Sequence, residues 1–223
     1  TINGTGTSKT IDVAAAASAK AVAAQINAVS SETGVTATAK TYAKVASGSA
    51  TTATYSIKIN GTSTGNFSIS SGSVGDFVTK VNQISGTTGV SASADAANTF
   101  ATLYSSTGED ITLENESAGT DLDVNAVNFD ETTAEGTQIS LAAAAGNDST
   151  RVVGTIKLAS SNSFSVTQAG TAALGYATSG SGALQAVANV DIKTSAKASS
   201  ALETIDGAIE KISSSVKTLY ENK

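Results

Sequence analysis

The chain has 223 residues, a net charge of −6 at pH 7, and no His, Cys, Met, Trp or Pro. Without His or Cys it lacks the usual ligands of zinc, haem and iron–sulfur clusters, and the nucleophile pairs that depend on His or a thiol. The negative charge opposes binding to nucleic acids, and no apolar run is long enough to insert into a membrane. We therefore expect a protein without cofactors, without a nucleic-acid partner and without an enzymatic activity.

The chain opens with a sequence unit that occurs twice, over residues 2–39 and 59–94. From the middle of the unit onward, the two copies align at a constant offset of 55 residues. This constant register predicts that both copies have the same fold. The matching sets are Val22, Ile26 and Val29 with Phe77, Val81 and Ile84, Asn27 with Asn82, and Thr33-Gly34-Val35 with Thr88-Gly89-Val90.

Each copy is predicted to be a hairpin followed by a short helix and a strand. The dipeptides Asn3-Gly4 and Asn60-Gly61 favour the positive φ angles of tight hairpin turns. The apolar triplet of each copy has the spacing of a buried helical stripe, and Gly34 and Gly89 should end the helices. The unit is therefore small, because each helix offers only three sizeable apolar side chains.

The region after the second copy gives weaker signals of β-structure, based on short apolar runs between turn-forming residues. The predicted elements are a hairpin of residues 100–104 and 111–113, strands at 122–129 and 138–141, a strand pair of 151–158 and 163–167, and a loop at 170–182.

The last segment, residues 194–223, predicts an amphipathic helix with a narrow apolar seam. Its apolar residues recur at alternating steps of three and four, which places them on one face of the helix. Such a seam favours packing against a partner helix, although the helix could instead lie on a sheet of its own domain. Since no other part of the chain resembles a second helix of that length, we expect the partner helices beyond its ends. The predicted helix-packing interface comprises Leu202, Ile205, Ile209, Ile212, Val216 and Leu219.

Two short motifs point to ligands only weakly. The segment Gly4-Thr5-Gly6-Thr7-Ser8-Lys9-Thr10 is similar to a phosphate-binding loop, but Ser8 stands where a glycine is required and no long helix is expected to follow. Asp121, Asp123 and Asn125 begin like a calcium loop, but Ala126 and Thr132 replace the required glycine and glutamate. We therefore predict no metal and no cofactor site.

The residues of the C-terminal seam and of the two repeats resemble bacterial flagellins. The run from Ala201-Leu202 through Ile205-Asp206 and Ala208-Ile209 to Leu219 is similar to the C-terminal rod helix of flagellins. Ile2-Asn3-Gly4 and Ile59-Asn60-Gly61 are similar to the Ile-Asn repeat of the exposed central region of flagellins and some hook-associated proteins. Together these resemblances cover about two thirds of the chain.

The resemblance implies a structural subunit of the flagellar filament, which serves motility. It implies an extracellular location after export through the flagellum's own channel without a cleaved signal peptide. The implied partners are other flagellin subunits, a flagellar export chaperone and the filament cap.

With this resemblance the predicted fold class is α+β, with β-rich hairpin and short-helix repeat modules forming outer domains and a C-terminal amphipathic rod helix. The predicted domains are a β-rich, surface-exposed region over residues 1–190, divisible into two subdomains, and a coiled-coil-type rod helix over 191–223. Two rival functions are a hook-associated or filament cap protein, which shares the Ile-Asn repeat, and a surface adhesin or carbohydrate-binding module. The adhesin is less favoured, because sugar sites commonly use stacked aromatic rings and the chain has no Trp.

Overall fold

The computed structural model describes residues 1–49, 51–117, 120–131, 134–142, 146–168, 180–182, 190, 192 and 195–221. These residues form sixteen strands and five helices. They divide into two compact units. Unit 1 comprises Thr1–Ala17, Ala21–Thr38 and Lys157–Lys223, and unit 2 comprises Ser18–Lys20 and Ala39–Ile156.

Unit 1 contains a four-stranded antiparallel sheet that joins the first strands of the chain to two strands between residues 164 and 182. Ile2 lies opposite Val166, and the N-terminal ammonium group donates a hydrogen bond of 2.7 Å to the carbonyl oxygen of Thr167. The strands, in sheet order, are β16 (Gly180–Gly182), β15 (Phe164–Val166), β1 (Ile2–Asn3) and β2 (Ser8–Lys9).

The helices of the first repeat bury a thin apolar face in unit 1. Val22, Ala23 and Ile26 are buried, whereas Val29 is half-buried. Small side chains therefore supply much of this packing, as the Ala-rich sequence requires. The helices with residues in unit 1 are α1 (Ala19–Ala28), α2 (Ser30–Thr33) and the terminal α5 (Ser195–Glu221).

Unit 2 holds two sheets, most of a larger sheet and the two helices of the second repeat. Residues 36–38 and 157–159, which also belong to strands of that larger sheet, are part of unit 1. The first sheet has the order β13 (Ser149–Val152), β10 (Ile111–Asn115), β5 (Ile57–Ile59) and β6 (Thr62–Ser63). The second has the order β12 (Ala134–Leu141), β11 (Leu122–Val127), β3 (Thr36–Ser47), β9 (Ala101–Ser105) and β8 (Ser91–Ala94), and β14 (Thr155–Ala159) also pairs with β3. The remaining elements are the pair β4 (Ala53–Tyr55) and β7 (Phe67–Ile69), with α3 (Gly75–Gln83) and α4 (Ser85–Thr88).

Three aromatic side chains pack against one another in the unit 2 core, one pair stacked and the other tilted. The ring of Phe67 lies 5.9 Å from that of Tyr55 and 5.0 Å from that of Phe77, centroid to centroid. The phenol of Tyr55 donates to the carbonyl oxygen of Asp121 at 3.0 Å, so its polar end is satisfied. Phe77 and Val81 are fully buried on α3, as the second apolar triplet predicts, and Ile84 is half-buried.

Two predicted hairpins are wrong, although their strands exist. β9 pairs with β3 and β8, whereas β10 pairs with β5 and β13, so residues 100–104 and 111–113 belong to different sheets. Likewise β14 pairs with β3 and β15 pairs with β1. In both cases the two strands of the predicted hairpin join different sheets, because burial of the apolar face decides the pairing rather than the turn between them. Most of the predicted loop at 170–182 lies outside the described residues.

The predicted fold class, α+β with a C-terminal rod helix, is also wrong. The described part of the chain is β-rich, with its strands distributed over several sheets. A chain rich in Thr, Ser, Val and Gly favours strands and turns, and its first four helices are only four to ten residues long. The helix α5 has exposed apolar side chains rather than side chains packed in a bundle, so a long rod helix is not shown. The predicted domain boundary near residue 190 stays a prediction.

Candidate functional site

The predicted helix-packing interface lies on α5 and faces solvent. The side chain of Leu219 is outside the described part of the chain. Exposure of apolar side chains to water is unfavourable, so burial of this face against a partner would be stabilising. The packing role stays a prediction. The exposed fractions are 64% for Leu202, 37% for Ile205, 56% for Ile209, 65% for Ile212 and 46% for Val216.

Two residues of α5, Ala201 and Lys211, differ from the residues of its exposed apolar face. Ala201 is buried, with 5% of its surface exposed. Ten residues later, Nζ of Lys211 donates a hydrogen bond to Oδ1 of Asn162 at 2.5 Å. Asn162 lies between β14 and β15, so this bond ties the middle of α5 to the loop between those strands.

In each of the two repeats, an asparagine side chain forms two hydrogen bonds with the backbone of the strand that follows the helix, an arrangement that we call the asparagine clasp. Oδ1 of Asn27 accepts from the backbone N–H of Ala37 at 2.7 Å, and its Nδ2 donates to the carbonyl of Ala37 at 2.9 Å. Asn82 makes the same two bonds to Ala92, at 2.8 Å and 2.9 Å. The amide group has a donor and an acceptor side by side, so it imitates a neighbouring strand. The correspondence of Asn27 with Asn82 therefore has a structural role.

The helix ends of the two repeats are also built in the same way. The hydroxyl of Thr33 donates to the carbonyl of Val29 and accepts from the N–H of Val35, and Thr88 makes the equivalent bonds. Gly34 and Gly89 follow in the left-handed region, with φ of 69° and 70°. Both glycines cap their helices as predicted, since this conformation costs glycine little.

The two Asn-Gly turns differ. Asn60 and Gly61 have φ of 47° and 79°, which confirms the predicted hairpin turn between β5 and β6. Asn3, in contrast, lies in β1, and the chain reverses later, where the N–H of Gly4 donates to the carbonyl of Thr7. Gly4 is required there for another reason: a Cβ at this position would lie 1.8 Å from the carbonyl oxygen of Thr33.

A polar cleft with a volume of 370 Å³ lies on the sheet β13–β10–β5–β6 of unit 2. Lys58, Glu114 and Arg151 are among its lining residues, with hydroxyl groups of Thr112 and Ser149 between them. Nζ of Lys58 lies 2.7 Å from Oε1 of Glu116 and 3.4 Å from Oε1 of Glu114. Sequence reasoning did not find this cleft. The one available signal was Arg151, which is the only arginine of the chain.

The charges in and beside the cleft shift each other's protonation. The hydrogen bond with Glu116 raises the pKa of Lys58, and the same bond lowers the pKa of the Glu116 carboxyl. Burial raises the pKa of Asp110, an effect that the positive charge of Arg151 opposes. Arg151 Nη1 lies 3.6 Å from Oδ2 of Asp110, and Oδ1 of Asp110 is buried without a hydrogen-bond partner. Lys58 and Glu116 are thus mutually neutralised, whereas Arg151 is held only loosely.

Neither of the two weak ligand motifs has the geometry of the phosphate-binding loop or the calcium loop that its sequence resembles. Lys9 lies in strand β2 and pairs with Glu32, Nζ to Oε2, at 2.6 Å. Asp123 and Asn125 lie along β11, and an extended strand cannot wrap its side chains around one ion as a calcium loop does. The described residues contain no group of three or more acidic side chains arranged for a metal. Among the described helices, none is both long and apolar enough to cross a membrane.

Comparison with known protein families gives a match for the first repeat. Residues 1–49 match the family profile described as the flagellin hook IN motif. A comparison with curated proteins gave no match to the chain. The matched range contains β1, β2, α1, α2 and β3, with the Asn27 clasp and the Gly34 cap. The match supports a relationship of this part of the chain with the flagellin and hook proteins that carry the motif.

Proposed function

We propose that the chain is a structural subunit of the bacterial flagellar filament, located outside the cell and required for motility. The observation that carries this proposal is the match of residues 1–49 to the flagellin hook IN motif. The second segment, residues 59–94, supports it, because Asn82, Thr88 and Gly89 make the bonds and turn that Asn27, Thr33 and Gly34 make. One matched motif and a second segment with the same local contacts, in one β-rich chain, suit a surface-exposed part of such a subunit.

The proposal includes contacts with other flagellar subunits. The exposed apolar side chains of α5, including Ile209 and Ile212, form the contact surface that we assign to a neighbouring subunit. An export chaperone and the filament cap are further proposed partners, and export proceeds without a cleaved signal peptide. We also propose that the chain has no enzymatic activity, since it contains neither His nor Cys for the common nucleophile pairs.

A hook-associated or filament cap protein is the rival proposal, because the same motif occurs in hook proteins by its description. The two proposals differ in where the protein lies and in how many copies each flagellum holds. A filament subunit occupies the whole length of the filament, a cap only its tip, and a hook-associated protein only its base.

The absence of cysteine from the chain gives a direct test. Ser93 is exposed on β8, so a Ser93→Cys variant expressed in the source bacterium can be labelled on living cells with a maleimide dye. We expect fluorescence along the whole filament, and none from cells with the unmodified chain. Label only at the tip or at the base would favour the rival. Flagella without label, together with normal motility after deletion of the gene, would refute both proposals.

A further inference from the structure

The polar cleft is built on a rigid part of unit 2. Its floor is the outer face of strands β5, β10 and β13, and the inner face of these strands carries fully buried side chains such as Ile59 and Ile111. Thr112 and Glu114 point outward between those buried positions, as the alternation of a strand requires. Groups held on paired strands are preorganised, so a ligand would lose less free energy in ordering them.

The register of the strands gives the cleft two chemically different ends. Arg151 lies opposite Thr112, and Ser149 lies opposite Glu114. Glu114 in turn lies opposite Lys58 on the next strand. Arg151 and Glu114 are therefore diagonal neighbours on adjacent strands, with backbones about 7–8 Å apart, and they lie on the same face of the sheet. Hydroxyl groups lie between them.

Arg151, at the cationic end of the cleft, has more N–H donors than its contact with Asp110 uses. The distance of 3.6 Å between Arg151 Nη1 and Asp110 Oδ2 is longer than a hydrogen bond. The guanidinium has five N–H donors in a planar fork, and 47% of the Arg151 side chain is exposed. Lys58, in contrast, is compensated by Glu114 and Glu116. Arg151 is therefore the group of the cleft best able to receive an anion.

We propose that this cleft binds the carboxylate-bearing residue of an acidic carbohydrate. Arg151 pairs with the sugar carboxylate through its fork, which matches the geometry of that group. The side chains of Ser149 and Glu114 bind ring hydroxyls, and Oγ1 of Thr112, which donates to Oδ1 of Asn60 at 3.2 Å, accepts from another. A volume of 370 Å³ is suited to a small ligand, and the carboxylates at the other end disfavour ligands with several negative charges, such as nucleotides.

The binding expected at such a site is weak and selective. The lining residues include no aromatic ring, so polar contacts supply the affinity, and a dissociation constant of about 1 mM is expected for a single sugar. This assignment is independent of the proposed place in the flagellum, because it rests on the cleft alone.

The test is a titration of the ¹⁵N-labelled full chain followed by NMR. The probes are the methyl glycoside of N-acetylneuraminic acid and glucuronic acid, each added to about 10 mM. We expect shifts of the backbone resonances of Thr112, Ser149 and Arg151 with both probes. N-acetylglucosamine, which lacks a carboxylate, should give no shift, and acetate should bind at least tenfold more weakly than either probe.

Three variants make the result decisive. Arg151→Gln should weaken binding of both probes at least tenfold, and Thr112→Val should weaken it severalfold while the guanidinium is retained. Lys80→Gln is the matched control, because it removes one positive charge from unit 2 outside the cleft and should leave the affinity unchanged. Spectra of each variant that match the parent spectrum beyond the cleft show that unit 2 is folded. Absence of shifts, equal shifts with acetate, or undiminished binding by Arg151→Gln would overturn the proposal.

Discussion

Replacement of Gly89 by valine tests how the second repeat ends its helix. Gly89 has a φ of 70°, and a Cβ built on it would meet no heavy atom within 4 Å. The first atom of the new side chain therefore meets no other part of the protein. Its effect comes from the backbone, because a β-branched residue is strongly disfavoured in the left-handed region.

The expected loss of stability follows from this backbone strain alone. Forcing an L-residue into the left-handed conformation costs about 1–2 kcal/mol, with β-branched side chains at the upper end. The alternative is a relaxed backbone, which would break the 2.8 Å bond from the N–H of Gly89 to the carbonyl of Ser85. Either route destabilises unit 2, so we expect the free energy of unfolding to fall by about 1–2 kcal/mol.

Urea unfolding monitored by tyrosine fluorescence, to which Tyr42, Tyr55 and Tyr104 of unit 2 contribute, measures this loss. Gly89→Asn is the first control and should recover at least half of the stability, because asparagine tolerates a positive φ. Gly86→Val is the second control, since Gly86 also has open space around it but no positive φ. If Gly89→Val and Gly86→Val lowered the stability equally, conformational strain would not be the cause and our reasoning would be refuted.

Three further predictions concern other parts of the molecule. Asn82→Ala should speed hydrogen exchange at the amide of Ala92 at least severalfold, measured by NMR, because that N–H loses its 2.8 Å acceptor; unchanged exchange would show that the clasp is dispensable. Replacing Ile209 and Ile212 together by lysine should abolish any concentration-dependent association seen by sedimentation without unfolding unit 2, and a dimer that persists would place the contact elsewhere. Burial raises the pKa of Asp110 in the folded state, so its contribution to stability should grow as the pH falls from neutral through that raised value. Asp110→Asn should therefore stabilise unit 2 at pH 7 and flatten this part of the pH profile, and an unaltered profile of unfolding free energy would contradict it.

Local signals in the sequence predicted the repeat ends well. A glycine after a short apolar stripe leaves few alternatives to a left-handed cap, and Gly34 and Gly89 both have that conformation. The turn at Asn60-Gly61 was predictable for the same reason, because the two residues alone favour its geometry. Asn3-Gly4 carries the same dipeptide, but the packing of Gly4 against Thr33 overrides the local preference.

Strand partners and the cleft were not predictable, because they depend on contacts between distant residues. Short strands such as β9 and β10 have the same alternation whichever sheet they join, so the nearest turn gave the wrong pairing. Arg151 and Glu114 are 37 positions apart in the sequence. Only the antiparallel register of β13 with β10 brings their side chains to one face.

The design of the repeats separates the residues that fix the backbone from those that face solvent. Asn82, Thr88 and Gly89 hold the helix end and the following strand through bonds to the main chain, which do not depend on the side chains of neighbouring residues. Exposed positions around them can therefore carry almost any polar residue without loss of the fold. In unit 2 the polar face of β10 and β13 uses that freedom, since a stable hydrophobic core beneath it leaves Thr112 and Arg151 available for contacts with other molecules.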